Sequence, residues 1–111
     1  MALTLKNIIY RKTAEATNTI QYTSNGVTTV IDKFTATNTS SSNAFLSVYL
    51  PNPGSTVSNS NLILNTRTIA ARETYSCPEL VGQVIPDGGT IVTLAGTANA
   101  ITISASGTQI L

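Results

Sequence analysis

Short runs in which apolar and polar side chains alternate, each closed by a turn, are the feature of this sequence that most limits its fold. In one run Phe34 and Ala36 alternate with polar residues, and residues 44–50 repeat the pattern. Such alternation places one side of an extended strand in a core and the other in water. The chain has 19 Thr but only three Lys, three Glu and three Gln, a composition that favours strands over exposed helices. The sequence therefore predicts an all-β protein.

The turns divide the chain into short predicted strands. Asn25-Gly26 lies between two of them, and this dipeptide favours a tight hairpin because both residues accept positive φ. We expect a second hairpin between the last two long segments. Strands at this spacing predict a single-domain antiparallel β-sandwich, and within that class a jelly roll. The predicted strands cover residues 3–10, 17–22, 27–38, 44–50, 62–70, 73–77, 90–95 and 100–106, with residues 108–111 extending the last.

The same alternation predicts which side chains form the core. Asp32 falls on the core side of its run, and a bulge near Ile31 would turn it outward. The predicted core contains Phe34, Ala36, Leu46, Val48, Ile91 or Val92, Ile101 and Ile103.

Two segments stand apart from this core. Residues 1–16 are predicted to form an N-terminal strand or arm that contacts a partner, ahead of a sandwich domain at residues 17–111. Deleting residues 1–10 should then spare the fold. The polar loop at residues 51–61 is longer than most connections, so we expect it to be mobile or to hold a partner.

Charge is scarce, at 10% of the residues, and the formal net charge is +1. The six basic residues are dispersed, which argues against nucleic acid as a partner. No apolar run is long enough to cross a membrane, and the first ten residues lack the charged start of a secretory signal. We expect assembly in a cytoplasm, with a neutral surface that tolerates close neighbours.

The chain has few of the residues that usually catalyse reactions or bind metals. It contains no His and one Cys, which removes the commonest general base and the usual zinc ligands. Glu73 and Glu79 are the acids nearest to a pair, but Glu73 is typical of a solvated turn. Cys77 is expected to be a small buried apolar residue on a strand. We therefore expect no enzyme, no catalytic residues, no metal and no cofactor.

Carbohydrate binding remains an alternative because it needs only exposed aromatic side chains. Tyr49 and Phe45 could stack on a sugar if they faced outward. The competing expectation is that these aromatic residues fill the core or an interface.

Several stretches of the chain resemble small virion proteins of tailed bacteriophages. They are residues 22–24, 30–40, 48–51, 71–75, 78–85 and 87–91. The resemblance covers most of the chain but excludes residues 1–21. It implies a β-sandwich scaffold without catalytic residues.

Within that family, the length of this chain is most similar to a capsid decoration protein, also called a cement or staple protein, of a short-tailed phage. The resemblance implies a location on the outer surface of the virion capsid. The implied partners are the major capsid protein and other copies of this chain. A tail or head–tail accessory protein, with a tail protein as partner, is the alternative role in the family, and a module binding host polysaccharide is the alternative outside it.

Overall fold

A computed structural model describes residues 2–111, which form two antiparallel β-sheets packed face to face. Met1, the first residue of the predicted arm, lies outside the described residues. A short 3₁₀ turn, Asn59–Asn61, is the helical element that interrupts the strands. The predicted all-β sandwich is confirmed. Its strands are β1 (Leu3–Thr13), β2 (Thr19–Thr23), β3 (Thr28–Asn38), β4 (Ala44–Tyr49), β5 (Leu62–Ile69), β6 (Thr74–Tyr75), β7 (Val84–Ile85), β8 (Thr90–Ala95) and β9 (Ile101–Ile110).

One sheet, called the front sheet here, has the order β1-β9-β3-β6, and β7 also pairs with β3. The other, the back sheet, has the order β2-β8-β4-β5. The short strands β6 and β7 lie along the same side of β3, at Ala36–Thr37 and at Thr29–Val30 respectively. Most connections therefore cross from one sheet to the other.

The core lies between the two sheets and contains the residues that alternation predicts. Phe34, Ala36 and Ile103 of the front sheet are fully buried, as are Leu46 and Val48 of the back sheet. Ile91 and Ile101 are also fully buried, and Val92 is 5% exposed. This part of the prediction is confirmed, because the two-residue period of a strand fixes which side chains share a face.

Both predicted hairpins are wrong. The turn at Asn25-Gly26 exists, with Gly26 at φ 73°, but it joins β2 of the back sheet to β3 of the front sheet. Likewise β8 and β9 belong to different sheets. A turn-forming dipeptide sets the local reversal of the chain. It does not decide whether the two flanking strands pair with each other.

The predicted N-terminal arm is part of the sandwich. β1 pairs with β9 along its length, from Leu3 opposite Ile110 to Thr13 opposite Thr102. Ile8 and Ile9 are almost fully buried in the core, as is Ala14. The structure therefore does not separate residues 2–16 from residues 17–111. Deleting residues 1–10 would remove the core side chains of Ile8 and Ile9, so the structure argues against the expectation that the fold survives this deletion.

Two smaller predictions have different outcomes. The register of β3 against β9 shifts between Ile31 and Lys33, and the intervening Asp32 is exposed, which confirms the bulge. Cys77 is fully buried, as predicted, but it lies in the turn after β6 with φ 47° and not on a strand.

The loop at residues 51–61 is anchored at both ends. Pro51 and Asn61 are buried, and the Asn61 side-chain amide donates to the Thr56 carbonyl oxygen at 2.9 Å. The Ser58 N–H in turn donates to the Asn61 side-chain oxygen at 3.1 Å. The Asn61 carbonyl oxygen also accepts from the Leu50 N–H at 2.8 Å, so the backbone and the side chain of Asn61 both hold the end of the loop before β5.

Candidate interaction surface

Apolar side chains cover one end of the outer face of the front sheet. Leu5, Thr108, Val30 and Val84 form a row across β1, β9, β3 and β7. In the next row, Leu3 lies opposite Ile110. Directly opposite residues in antiparallel strands point to the same face, so these side chains lie side by side. We call Leu3, Leu5, Val30, Val84 and Ile110 the apolar end.

Three side chains of the apolar end are largely exposed to solvent. Leu5 is 82% exposed, Leu3 63% and Val84 56%. The adjoining Val81 and Leu111 are also exposed. Thr108, between Leu5 and Val30, is the polar member of the row and donates to the Asp32 carboxylate at 2.7 Å. Exposed apolar side chains that gather on one face, in contrast to ones scattered singly, mark contact surfaces. The apolar end therefore fits a surface that a partner covers.

The opposite end of the same outer face carries hydroxyl groups. Thr13, Thr102, Thr37 and Thr74 form a row across β1, β9, β3 and β6. The hydroxyls of Thr37 and Thr74 are hydrogen-bonded at 2.8 Å. Thr35 and Ser104 occupy the neighbouring row. We call these six residues the polar end, which fits a surface facing water.

Beneath the apolar end, the space between the sheets holds a cluster of polar side chains. The Thr29 hydroxyl lies 2.6 Å from the Tyr22 hydroxyl and 3.0 Å from the Ser24 hydroxyl. The Gln109 amide donates to the Tyr22 hydroxyl at 2.8 Å, and the Ser24 hydroxyl donates to the Val27 carbonyl oxygen at 2.6 Å. Ser24 and Thr29 are fully buried. A buried polar group without a partner is costly, and every buried side-chain polar atom in residues 2–111 has one.

The acidic residues considered as a catalytic pair have separate surroundings. Glu79 accepts a hydrogen bond from the Tyr75 hydroxyl, at 2.6 and 2.7 Å to its two oxygens. That bond lowers the pKa of Glu79 from its ordinary value and raises the pKa of Tyr75. Arg67 lies over the Tyr75 ring, 4.2 Å from its centre. Glu73 lies in the exposed turn before β6. This arrangement ties β5 to β6 across the edge of the sandwich.

Cys77 and the acids do not form a reactive or metal-binding group. Burial raises the pKa of the Cys77 thiol to about 12, which keeps it protonated and unreactive near neutral pH. Within residues 2–111 no three His, Cys, Asp or Glu side chains come together as a metal site.

The aromatic residues of the carbohydrate alternative lie on β4 of the back sheet. Phe45 packs its ring against Gly96, where a Cβ atom would come within 2.3 Å of the ring, and it is 37% exposed. Tyr49 is half-buried beside the loop at residues 51–58. Near this loop an open cavity of about 210 Å³ is lined mainly by apolar groups, including Ile20, Pro51, Val57 and Val92. Its polar lining comes from the neutral residues Asn18, Ser55, Thr56 and Thr90, and neither Tyr49 nor Phe45 lines it.

The apolar end is the feature that sequence reasoning missed. Alternation in residues 3–10 shows that two faces differ, but it does not show which face meets the core. One signal was present in the sequence: Leu3 and Leu5 precede two consecutive isoleucines, Ile8 and Ile9. Two consecutive apolar residues interrupt the alternation, so the strand must change which side chains it turns toward the core. The structure supplies this change as a register shift between Asn7 and Ile9.

Comparison with known proteins adds no further constraint. No protein-family model matches the chain, and searches of curated proteins and of solved structures find no match. In residues 2–111 there is no helix long and apolar enough to cross a membrane.

Proposed function

We propose that this protein is a structural component of a bacteriophage virion, a capsid decoration protein that bridges and stabilises subunits of the major capsid protein. It assembles in the host cytoplasm and sits on the outer surface of the capsid. The observation that carries the proposal is the apolar end, an exposed apolar surface on a chain otherwise rich in small neutral side chains. The resemblance of separate stretches between residues 22 and 91 to small phage virion proteins supplies the identity of the partner.

The strand order supports a narrower description of the fold. The front sheet has the strand order β1-β9-β3-β6, and the back sheet has the order β2-β8-β4-β5. Most connections between consecutive strands cross from one sheet to the other. Sheets linked in this way are typical of the jelly roll, an architecture found in viral capsid proteins. We therefore retain the jelly roll as part of the proposal.

The proposed mechanism is mechanical. A packaged genome presses outward on every junction between capsid subunits, and a rigid domain attached across a junction opposes that pressure. Each attachment gains mainly from apolar surface removed from water. Many modest contacts then add up over a symmetric shell. The low charge allows copies to lie close together without strong mutual repulsion.

The test compares full particles with and without the protein, and then with two matched double variants. Val84→Thr with Ile110→Thr makes the apolar end resemble the polar end. The control, Thr37→Val with Thr102→Val, makes the reverse exchange at the polar end, a methyl group for a hydroxyl group at each residue, whereas Ile110→Thr also removes one carbon. We expect the first variant to fold but to occupy particles about tenfold less, because each apolar carbon removed from a buried contact costs about 0.8 kcal/mol and a tenfold loss of affinity needs about 1.4 kcal/mol. The control should bind like the parent.

Genome release on heating measures the functional consequence. Particles carrying the parent protein should release their genome at a higher temperature than bare particles. Particles mixed with the Val84/Ile110 variant should release it at nearly the same temperature as bare particles. Equal release temperatures for decorated and bare particles would refute stabilisation of the capsid. Labelled protein found only on tails would instead establish the tail or head–tail role. Saturable binding to host polysaccharide that Tyr49→Ala abolishes would establish the carbohydrate role.

A further inference from the structure

The outward edge of β1 is a long, regular and unpaired strand edge. β1 pairs with β9 alone and lies at one side of the front sheet. From Leu3 to Asn7 its register against β9 is unbroken, and every residue in this stretch is exposed. An edge of this kind offers a row of free N–H and C=O groups to another strand.

The hydrogen bond at the end of the ladder identifies which backbone groups are free. The Leu111 N–H donates to the Ala2 carbonyl oxygen at 3.0 Å, so these two residues form a hydrogen-bonded pair. Such pairs alternate with non-hydrogen-bonded pairs along antiparallel strands. Thr4 and Lys6 therefore bond to β9 through the same ladder. Leu3, Leu5 and Asn7 direct their N–H and C=O groups away from β9, toward the free edge.

The other sheet edges in residues 2–111 are interrupted. β2 has a register shift between Ile20 and Tyr22. β5 contains Thr66 at φ 44° and pairs irregularly with β4. β6 and β7 are two residues each. Short or bulged strands resist pairing with another chain. Among the edges in residues 2–111, the first half of β1 is therefore the one best suited to accept a further strand. The complementary strand that this chain itself provides is the β1 of a second copy.

We propose that two copies of this chain pair antiparallel through residues 3–7 of β1, about a two-fold axis at Leu5. Leu5 then lies opposite Leu5 of the partner subunit, and Leu3 opposite the partner's Asn7. This register uses the free N–H and C=O groups of all three outward residues of each copy. It rests on the proposed function, in which copies of this chain lie close together, and specifies how two copies pair.

Side chains favour this register over its neighbours. A two-fold axis at Lys6 would place Lys6 opposite the partner's Lys6, and like charges directly opposite are destabilising. An axis at Thr4 would pair only residues 3–5 of the two β1 strands with each other, because β1 begins at Leu3. With the axis at Leu5, Lys6 lies opposite the partner's Thr4, so no charge meets its like.

The pairing also has a consequence for the apolar end. Side chains directly opposite across antiparallel strands share a face, so the outer faces of both front sheets lie on the same side. The two apolar ends then adjoin at Leu5 and form one surface about twice as wide. A dimer would present this doubled surface to a single partner, which suits attachment across a junction between subunits.

The first test is the oligomeric state of the purified protein by light scattering after size exclusion. We expect a dimer for the parent and for Leu5→Ala, which keeps the Leu5 N–H. Leu5→Pro removes that N–H, and proline is tolerated on an edge strand where the N–H faces solvent. This variant should be a folded monomer, as checked by its unfolding transition. A monomeric parent, or a Leu5→Pro variant that stays dimeric, would overturn the proposal.

Disulfide trapping tests the register without relying on Leu5→Pro. Thr4 and the partner's Lys6 would form a non-hydrogen-bonded pair with Cα atoms about 4.5 Å apart, within the range that a disulfide accepts. A mixture of Thr4→Cys and Lys6→Cys should form a mixed disulfide on mild oxidation, whereas either variant alone should not. The native Cys77 is buried and should not interfere. A mixture that forms no more disulfide than the single variants contradicts the register. Since both tests use isolated protein, their failure is distinct from failure to bind capsids.

Discussion

The two ends of the front sheet share the long strands β1, β9 and β3, but one end exposes polar side chains and the other exposes apolar ones. At the polar end, hydroxyl-bearing side chains face water while Phe34, Ala36 and Ile103 face the core. At the apolar end, Leu5 and Val84 face outward, and the interior holds the hydrogen-bonded cluster around Thr29. Strand propensity cannot explain the difference, because Thr suits an exposed strand as well as Val does. Under the proposed function, the polar end serves the fold, whereas the outer surface of the apolar end serves a contact with a partner.

The largest expected effect is a contrast in stability between truncating a core side chain of β3 and truncating an outward one. Phe34→Ala should lower the free energy of unfolding by about 3–5 kcal/mol, because it removes a fully buried ring from the core. Val30→Ala, on the outer surface of the apolar end, should cost less than about 1 kcal/mol. Denaturant unfolding of both variants measures the contrast. Similar losses would mean that Val30 contributes to the fold as Phe34 does, and the comparison would fail.

A smaller effect is expected from the same substitution at two threonines of β3. Thr29→Val should cost about 2 kcal/mol, since it leaves the Tyr22 and Ser24 hydroxyls short of a buried partner. Thr37→Val, at the polar end, should change stability by less than about 0.5 kcal/mol because water can replace its bond to Thr74. The measurement is again denaturant unfolding. A neutral Thr29→Val would show that the buried cluster is dispensable.

The remaining effect is absent at neutral pH and concerns Cys77. This residue lies in the segment that connects β6, beside Thr37, to β7, beside Val30. Its folded pKa of about 12 lies above its ordinary value of 9.0. A raised pKa adds stability that is present below pH 9 and is lost as the pH rises toward 12, because the unfolded thiol ionises first. A Cys77→Ala variant should show a weaker decline in stability over this range than the parent.

Thiol labelling of Cys77 also tests whether the two ends unfold together. If they form one cooperative unit, the labelling rate at pH 8 should follow the global unfolding equilibrium as denaturant is added. Labelling that exceeds this rate would reveal a separate opening of the segment between β6 and β7. The exposed thiol of a Val84→Cys, Cys77→Ala variant, which should react at once, provides the control.

Sequence patterns predicted the side chains of the core better than the partners of the strands. Phe34 and Leu46 follow from the two-residue period alone, which is a local property of extended chain. Whether residues 19–23 pair with β3 or with β8 depends on packing between distant segments, so the turn at Gly26 could not decide it. The polar cluster was missed for a related reason. Thr29 and Gln109 resemble surface residues until their partners Tyr22 and Ser24 are brought beside them from another sheet.

The divided edge formed by β6 and β7 limits how far this protein can polymerise. A chain with two long regular edges could add copies at both sides and grow into a fibre. Here the side of the front sheet opposite β1 is split into two two-residue strands separated by the turn that carries Cys77. Once two β1 strands have paired, the joined sheet ends on both sides in these interrupted edges. Crowding many copies onto one particle should therefore yield closed pairs and not an open-ended aggregate.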